Sequence, residues 1–112
     1  MITIELYFDH SGLLKRCRAD GHAGAGSKGN DIVCAAVSIL LRATYRTLLK
    51  KTGIKLRERV PERGAFFLEL ENEATEEASA FLFAVGSFLK EGLQSVSEEY
   101  PQFCTVKIYT EE

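Results

Sequence analysis

Three cysteines and two histidines are the residues of this 112-residue chain with the widest chemical range. Cys17, Cys34 and Cys104 are an odd number at unrelated spacings, which makes a poor disulfide framework. Cys17 and Cys104 fall in stretches of alternating polarity and read as small buried residues of a sheet. Cys34 stands in a different setting. It follows Asp31-Ile32-Val33, where the pattern turns helical, and it lies twelve residues after His22. Between them runs a segment holding Gly24, Gly26 and Gly29, with Gly21 just before His22, so four of the nine glycines fall here. With Asp31 as the N-cap, Cys34 falls in the first helical turn, where unpaired N–H groups and the positive dipole end favour a thiolate. A glycine loop that folds back brings His22 beside it, and an imidazole can then take the thiol proton and return it to a leaving amine. Ser38 sits one turn further on the same helical face, and Asp31 is placed to orient His22. Each has a plainer reading as well: a cap, a helix hydroxyl bonded to its own backbone, a solvated loop imidazole, a core thiol. His10, within Asp9-His10-Ser11-Gly12, reads as a turn residue.

The elements around this constellation follow from periodicity. Ile2, Ile4, Leu6 and Phe8 alternate with polar neighbours as a half-buried strand, and Leu13 to Ala19 returns as its hairpin partner. From Asp31 an apolar face of Ile32, Val33, Ala36, Val37, Leu40 and Leu41 defines a first helix, with Lys50 and Lys51 near its end and Gly53 past it. Ile54 to Val60 and Ala65 to Glu71 read as strands around a turn at Glu62-Arg63-Gly64. A second helix begins near Thr75 and ends before Pro101, with Ala78, Phe81, Leu82, Val85, Phe88, Leu89, Leu93 and Val96 at helical spacing. Phe103 to Tyr109 is the last strand. No repeat or linker interrupts this order, so residues 1–112 are expected to form one α+β domain of ββαββαβ order. Two amphipathic helices would cover one face of a largely antiparallel sheet.

Hydrophobic residues make up 46% and charged residues 27%, which excludes intrinsic disorder. The net charge of −2 gives no reason for non-specific nucleic-acid binding. It conceals an asymmetry. Residues 13–63 carry twelve Lys and Arg against four Asp and Glu, whereas residues 64–112 carry two against ten. Opposite charge in the two halves can draw them together within the fold or between subunits. Neither a signal-peptide pattern nor an unbroken apolar run of spanning length is evident, so a cytoplasmic protein without a membrane partner is expected. A zinc site from Cys17, His22, Cys34 and Cys104 lacks paired ligand spacing, and the glycine loop lacks the Gly-Lys-Ser/Thr ending of a phosphate cradle. No metal or other cofactor is expected. The competing non-enzyme reading is direct RNA binding by Arg42, Arg46, Lys50, Lys51, Arg57, Arg59 and Arg63. The acidic half and the lack of stacking residues beyond Tyr45 weigh against direct nucleic-acid binding.

Gly21-His22-Ala23, a glycine-bearing loop and then Asp31-Ile32-Val33-Cys34-Ala35-Ala36-Val37-Ser38 resemble the signature of the Prp family, bacterial ribosomal-processing cysteine proteases. The order and length of the remaining elements agree with that family at the level of pattern. The resemblance implies a homodimeric protein with Cys34 as nucleophile, His22 as its proton partner, and Asp31 and Ser38 near the site. It implies a substrate loop through Gly21, Gly24, Gly26 and Gly29. It also implies a reaction: removal of a short N-terminal extension from a large-subunit ribosomal protein, after a Phe-Phe pair and before a small residue. One departure stands out: many relatives carry an aromatic residue after the first loop glycine, whereas this loop reads Gly24-Ala25-Gly26. Extra glycine makes the loop costlier to order.

Overall fold

The computed structural model describes residues 1–21, 28–59 and 65–111, with side chains left undescribed at 28–31, 58 and 59. Seven elements follow in ββαββαβ order: β1 (Ile2–Asp9), β2 (Leu14–Asp20), α1 (Lys28–Leu49), β3 (Leu56–Arg59), β4 (Ala65–Leu70), α2 (Glu76–Glu99) and β5 (Cys104–Glu111). Each expected element is present. The turn at Glu62-Arg63-Gly64 lies outside the described residues.

The strands form one mixed sheet in the order β3-β4-β2-β1-β5. β1 and β2 are an antiparallel hairpin with Leu6 opposite Cys17, and β2 and β4 pair antiparallel with Cys17 opposite Leu68. β3 and β4 are also antiparallel, whereas β1 and β5 are parallel with Ile4 opposite Val106. β2 and β3 therefore point the same way, as do β4 and β5. Each helix is a crossover between two parallel strands. The two crossovers move in opposite directions along the sheet and leave strands of opposite direction, so right-handed connections put both helices on one face.

That face is the core. Ile2, Ile4, Leu6 and Phe8 of β1 project into it with Cys17 and Ala19 of β2, Leu68 and Leu70 of β4 and Cys104 of β5. The strict alternation of β1, buried at every second residue, is what a sheet covered on one side requires. From the helices come Val33, Val37, Leu41 and Leu48 of α1 and Ala78, Leu82, Leu89 and Leu93 of α2. Thr44 is the buried polar residue among the described ones, and its hydroxyl donates to the Leu40 carbonyl at 2.8 Å, which satisfies it.

The helices run antiparallel. The Leu40 side chain of α1 lies against Gly92 of α2, where a Cβ would come within 3.0 Å of it. Lys51, just past α1, sits over the Phe81 ring at 5.1 Å, and the Thr75 amide donates to the Gly53 carbonyl at 3.0 Å. Thr75 does occupy the N-cap of α2, but its hydroxyl makes no cap hydrogen bond. Its carbonyl instead accepts from the Ala78 amide and the Ser79 hydroxyl, each at 3.0 Å.

The span Ile32–Leu49 is long and apolar enough to cross a membrane by length and composition, although no uninterrupted run suggests it. Its buried stripe is built into the core of the sheet and 28% of the span is buried, so packing accounts for part of that apolar character. The open face of the sheet carries the other strand residues. Tyr7 stacks on Tyr109 at 4.9 Å and lies under the Arg16 guanidinium at 4.1 Å. Arg16 pairs with Glu111 at 2.8 Å and Arg57 with Glu69 at 3.8 Å, so the basic and acidic halves of the chain do meet within the fold.

Candidate active site

α1 carries the candidate nucleophile, and its start differs from the expected one. The helix begins at Lys28, so Asp31 is its fourth residue and does not cap it. Cys34 is consequently the seventh residue, in the second turn. Among the described residues, the first-turn N–H groups of Lys28, Gly29 and Asn30 are the ones without an intrahelical carbonyl; that of Cys34 belongs to the helical ladder. Dipole stabilisation of a thiolate falls off within the first turn, so it acts less strongly on Cys34 than a cap at Asp31 would imply. A helical Cβ nevertheless leans toward the N-terminus, which directs the Cys34 side chain back over the turn containing Asp31.

Gly29 is a second correction. It belongs to the first turn of α1, not to the loop. Ser27, a residue type favoured before a helix, precedes Lys28 in sequence. Gly21 lies immediately after β2 with φ +110°, a conformation open to glycine and strained for other residues. A Cβ there would run into the Met1 carbonyl oxygen and come within 3.2 Å of Ile2 Cα. Gly21 is thus fixed against the start of β1 and sets the direction in which the chain leaves the sheet. His22, Gly24 and Gly26 lie outside the described residues.

Cys34 is half-buried, packed on the edge of the core, and Ser38 one turn on is exposed. Tyr45, half-buried, continues the same flank of α1 three turns from Cys34. This flank points away from Leu40 and the seam with α2. The other two thiols are sealed: Cys17 is 0% exposed and Cys104 1%. Burial pushes the Cys17 thiol up to about 12 and raises that of Cys104 as well. Both are structural residues. Among the described residues no cluster of His, Cys, Asp and Glu could hold a metal ion. Glu76 and Glu77, at the start of α2, lie beside the far end of α1, roughly 24 Å from Cys34 at 1.5 Å per helical residue.

Cys34 is the thiol that the fold holds half-buried on a crossover helix, and comparison with known proteins gives the class and the family. Residues 1–105 match the family model for cysteine protease Prp. The ribosomal processing cysteine protease Prp of Staphylococcus aureus strain Mu50 is 28% identical over 101 residues, covering 89% of this chain and 92% of that one. SMU.848 from Streptococcus mutans has the same fold with a TM-score of 0.79 at 28% identity, over 99% of this chain and 96% of that one. The essential S. aureus protease Prp, solved with a covalently linked product peptide, superposes with a TM-score of 0.78 at 25% identity, covering 96% and 99%. The chain belongs to the cysteine protease Prp family, and it is a peptide-cleaving endopeptidase.

Proposed function

We propose that this endopeptidase removes a short N-terminal extension from a large-subunit ribosomal protein, working as a homodimer in the cytoplasm. Cys34 is its nucleophile and His22 its general base and acid. The observation that carries the reading is the contrast among the thiols: the cysteine inside the Asp31–Ser38 signature is the one with solvent exposure, while Cys17 and Cys104 are sealed in the core.

His22 takes the proton from Cys34, and the sulfur attacks the carbonyl of the scissile bond. The tetrahedral intermediate collapses, the C–N bond breaks, and His22 returns the proton to the leaving amine. Water, deprotonated by His22, then attacks the thioester; the C–S bond breaks, the extension leaves as a carboxylate, and the proton goes back to Cys34. Asp31, one turn before Cys34, orients the imidazole, and Ser38 offers a hydroxyl to the bound peptide. Cys34's own amide is engaged in the helix. The oxyanion is held instead by first-turn N–H groups of Lys28, Gly29 and Asn30, which have no carbonyl partner within the helix.

Mass spectrometry of the protein incubated with a ribosomal-protein N-terminal peptide containing Phe-Phe-Ala tests this. Cleavage before the alanine is expected, abolished by Cys34→Ala and by His22→Gln. An intact peptide with folded wild-type protein, together with salt-sensitive binding to ribosomal RNA, would replace it with the non-catalytic reading.

A further inference from the structure

The two edges of the sheet differ. β3 spans four residues, Leu56–Arg59, and three of them are charged, which blunts that edge. β5 spans eight, Cys104–Glu111, pairs with β1 along its whole length, and has no neighbour on its other side among the described residues. The Ile2 amide donates to the Phe103 carbonyl at 2.8 Å, which fixes the phase of this parallel ladder. Thr105, Lys107 and Tyr109 therefore turn their backbone groups to β1, and Cys104, Val106, Ile108 and Thr110 turn theirs outward. The fold caps the first of these. The Cys104 amide donates to the Tyr100 carbonyl at 3.1 Å, and its carbonyl accepts from the Ser97 hydroxyl at 3.0 Å. Past that point the outward groups of Val106, Ile108 and Thr110 have no hydrogen-bond partner among the described residues.

The side chains at this edge are uncovered on both faces. Ile108, on the helix side, is 41% exposed, and Tyr109, on the open side, 40%. Phe83 of α2 is 49% exposed and lies nine residues before Gly92, on the opposite side of the helix from the seam with α1. Its ring meets Gly12 in the turn after β1, at the end of the sheet where β5 finishes. Phe83 thus lies on the β5 side of the helix layer.

We infer that the free edge of β5 pairs antiparallel with the same edge of a second copy, centred on Tyr109, so that the two sheets continue as one. The sequence of the edge is what selects a second copy. In this register Lys107 lies opposite Glu111 of the second copy, twice by symmetry, and Tyr109 lies opposite Tyr109. Glu111 is already held on the open face by Arg16 at 2.8 Å, so each seam joins two cations around one carboxylate. Ile108 and Thr110 form the hydrogen-bonded pairs, as their outward backbone groups require. The Tyr7–Tyr109 stack, at 4.9 Å, continues through the seam into its symmetry mate, and Ile108 and Phe83 of both copies meet on the helix side. Centring the contact on Lys107 would set like charges face to face, and an unrelated strand would leave Lys107 without its carboxylate. This contact uses no part of α1 and is separate from the homodimer of the proposed function, to which it adds a second interface.

Disulfide cross-linking tests the register, in a Cys34→Ala chain so that Cys34 does not compete. Facing residues of a non-hydrogen-bonded antiparallel pair have Cα atoms ~4.5 Å apart, within disulfide reach. Tyr109→Cys is expected to form an intermolecular disulfide at least ~10-fold faster than Lys107→Cys, because Lys107 faces Glu111 and not itself. Sedimentation equilibrium from ~1 to ~500 µM should show the mass doubling from the species present at the low end. Lys107→Glu should raise the midpoint by ~10-fold or more, and adding Glu111→Lys should bring it back. Melting curves show that each variant is folded. Equal disulfide rates, a mass that never doubles, or a doubling indifferent to Lys107→Glu overturns the inference. A mass that never doubles, with an alternating Thr-Val peptide bound at the edge and lost in Ile108→Pro, overturns it in favour of a foreign strand. The species at the low end, one chain or two, reads the homodimer independently.

Discussion

Cys17 and Cys104 sit in strands and Cys34 in a helix, and the two settings produce different chemistry from one side chain. A strand of a one-sided sheet offers a binary choice of face, and both strand cysteines take the core face, with 0% and 1% exposure. A helix offers a continuous range of directions. Cys34 falls on the flank between core and solvent, near enough to the core to be held and open enough to be reached. Placement relative to a two-fold or a 3.6-fold period, more than residue type, separates a packing thiol from a reactive one.

The largest effect expected from this contrast is on turnover. Cys34→Ser should lower kcat/KM for the Phe-Phe-Ala peptide by ~1000-fold or more, while Cys17→Ala stays within ~10-fold of wild type. Comparable losses in both would erase the distinction. Next in size is labelling: iodoacetamide should modify Cys34 at least ~100-fold faster than the two core thiols in the folded protein, with the three rates converging in denaturant. Peptide mapping over time reads this directly.

Stability should show the reverse order. Cys17→Ser puts a hydroxyl among apolar neighbours and should cost about 2 kcal/mol by denaturant unfolding, against less than ~1 kcal/mol for Cys34→Ser. Alkaline pH gives a related slope. Cys17 titrates at 9.0 when exposed and at about 12 in the fold, so above pH 9 the unfolded chain loses a proton that the native one keeps. This group therefore lowers stability as pH rises from 9 toward 12, by at most ~1.4 kcal/mol per pH unit. The difference between wild type and Cys17→Ala should follow that window; parallel curves would remove Cys17 as the source. The smallest effect is expected at Ser38, where Ser38→Ala should reduce kcat/KM by about 3- to 10-fold without moving the melting temperature.

Much of the frame was legible in the chain because periodicity reports which side of an element is buried. The alternation of Ile2 to Phe8 and the helical spacing of Ala78 to Leu93 placed β1 and α2 within a residue or two. The start of α1 was not legible. Asp31 and Ser27 are both residue types that precede helices, and local propensity does not choose between them. Choosing Asp31 put Cys34 in the first turn and Gly29 in the loop; a helix from Lys28 moves both. Gly21 reads in the sequence as one more glycine of the loop, because its contact with Met1 and Ile2 is between segments twenty residues apart.

The chain's own letters determined the element order, the core faces and the eight-residue signature that carries Cys34, since all three depend on residues close together in sequence. Tertiary structure decided the rest. Sheet order set β5 parallel to β1, and the antiparallel packing of α1 on α2 placed Glu76 and Glu77 far from Cys34. It also separated charges that sequence could only count, pairing Arg16 and Arg57 inside the fold and leaving Arg42, Arg46 and Lys50 facing outward. Which charges meet depends on where distant segments come together, and that is a property of the folded chain alone.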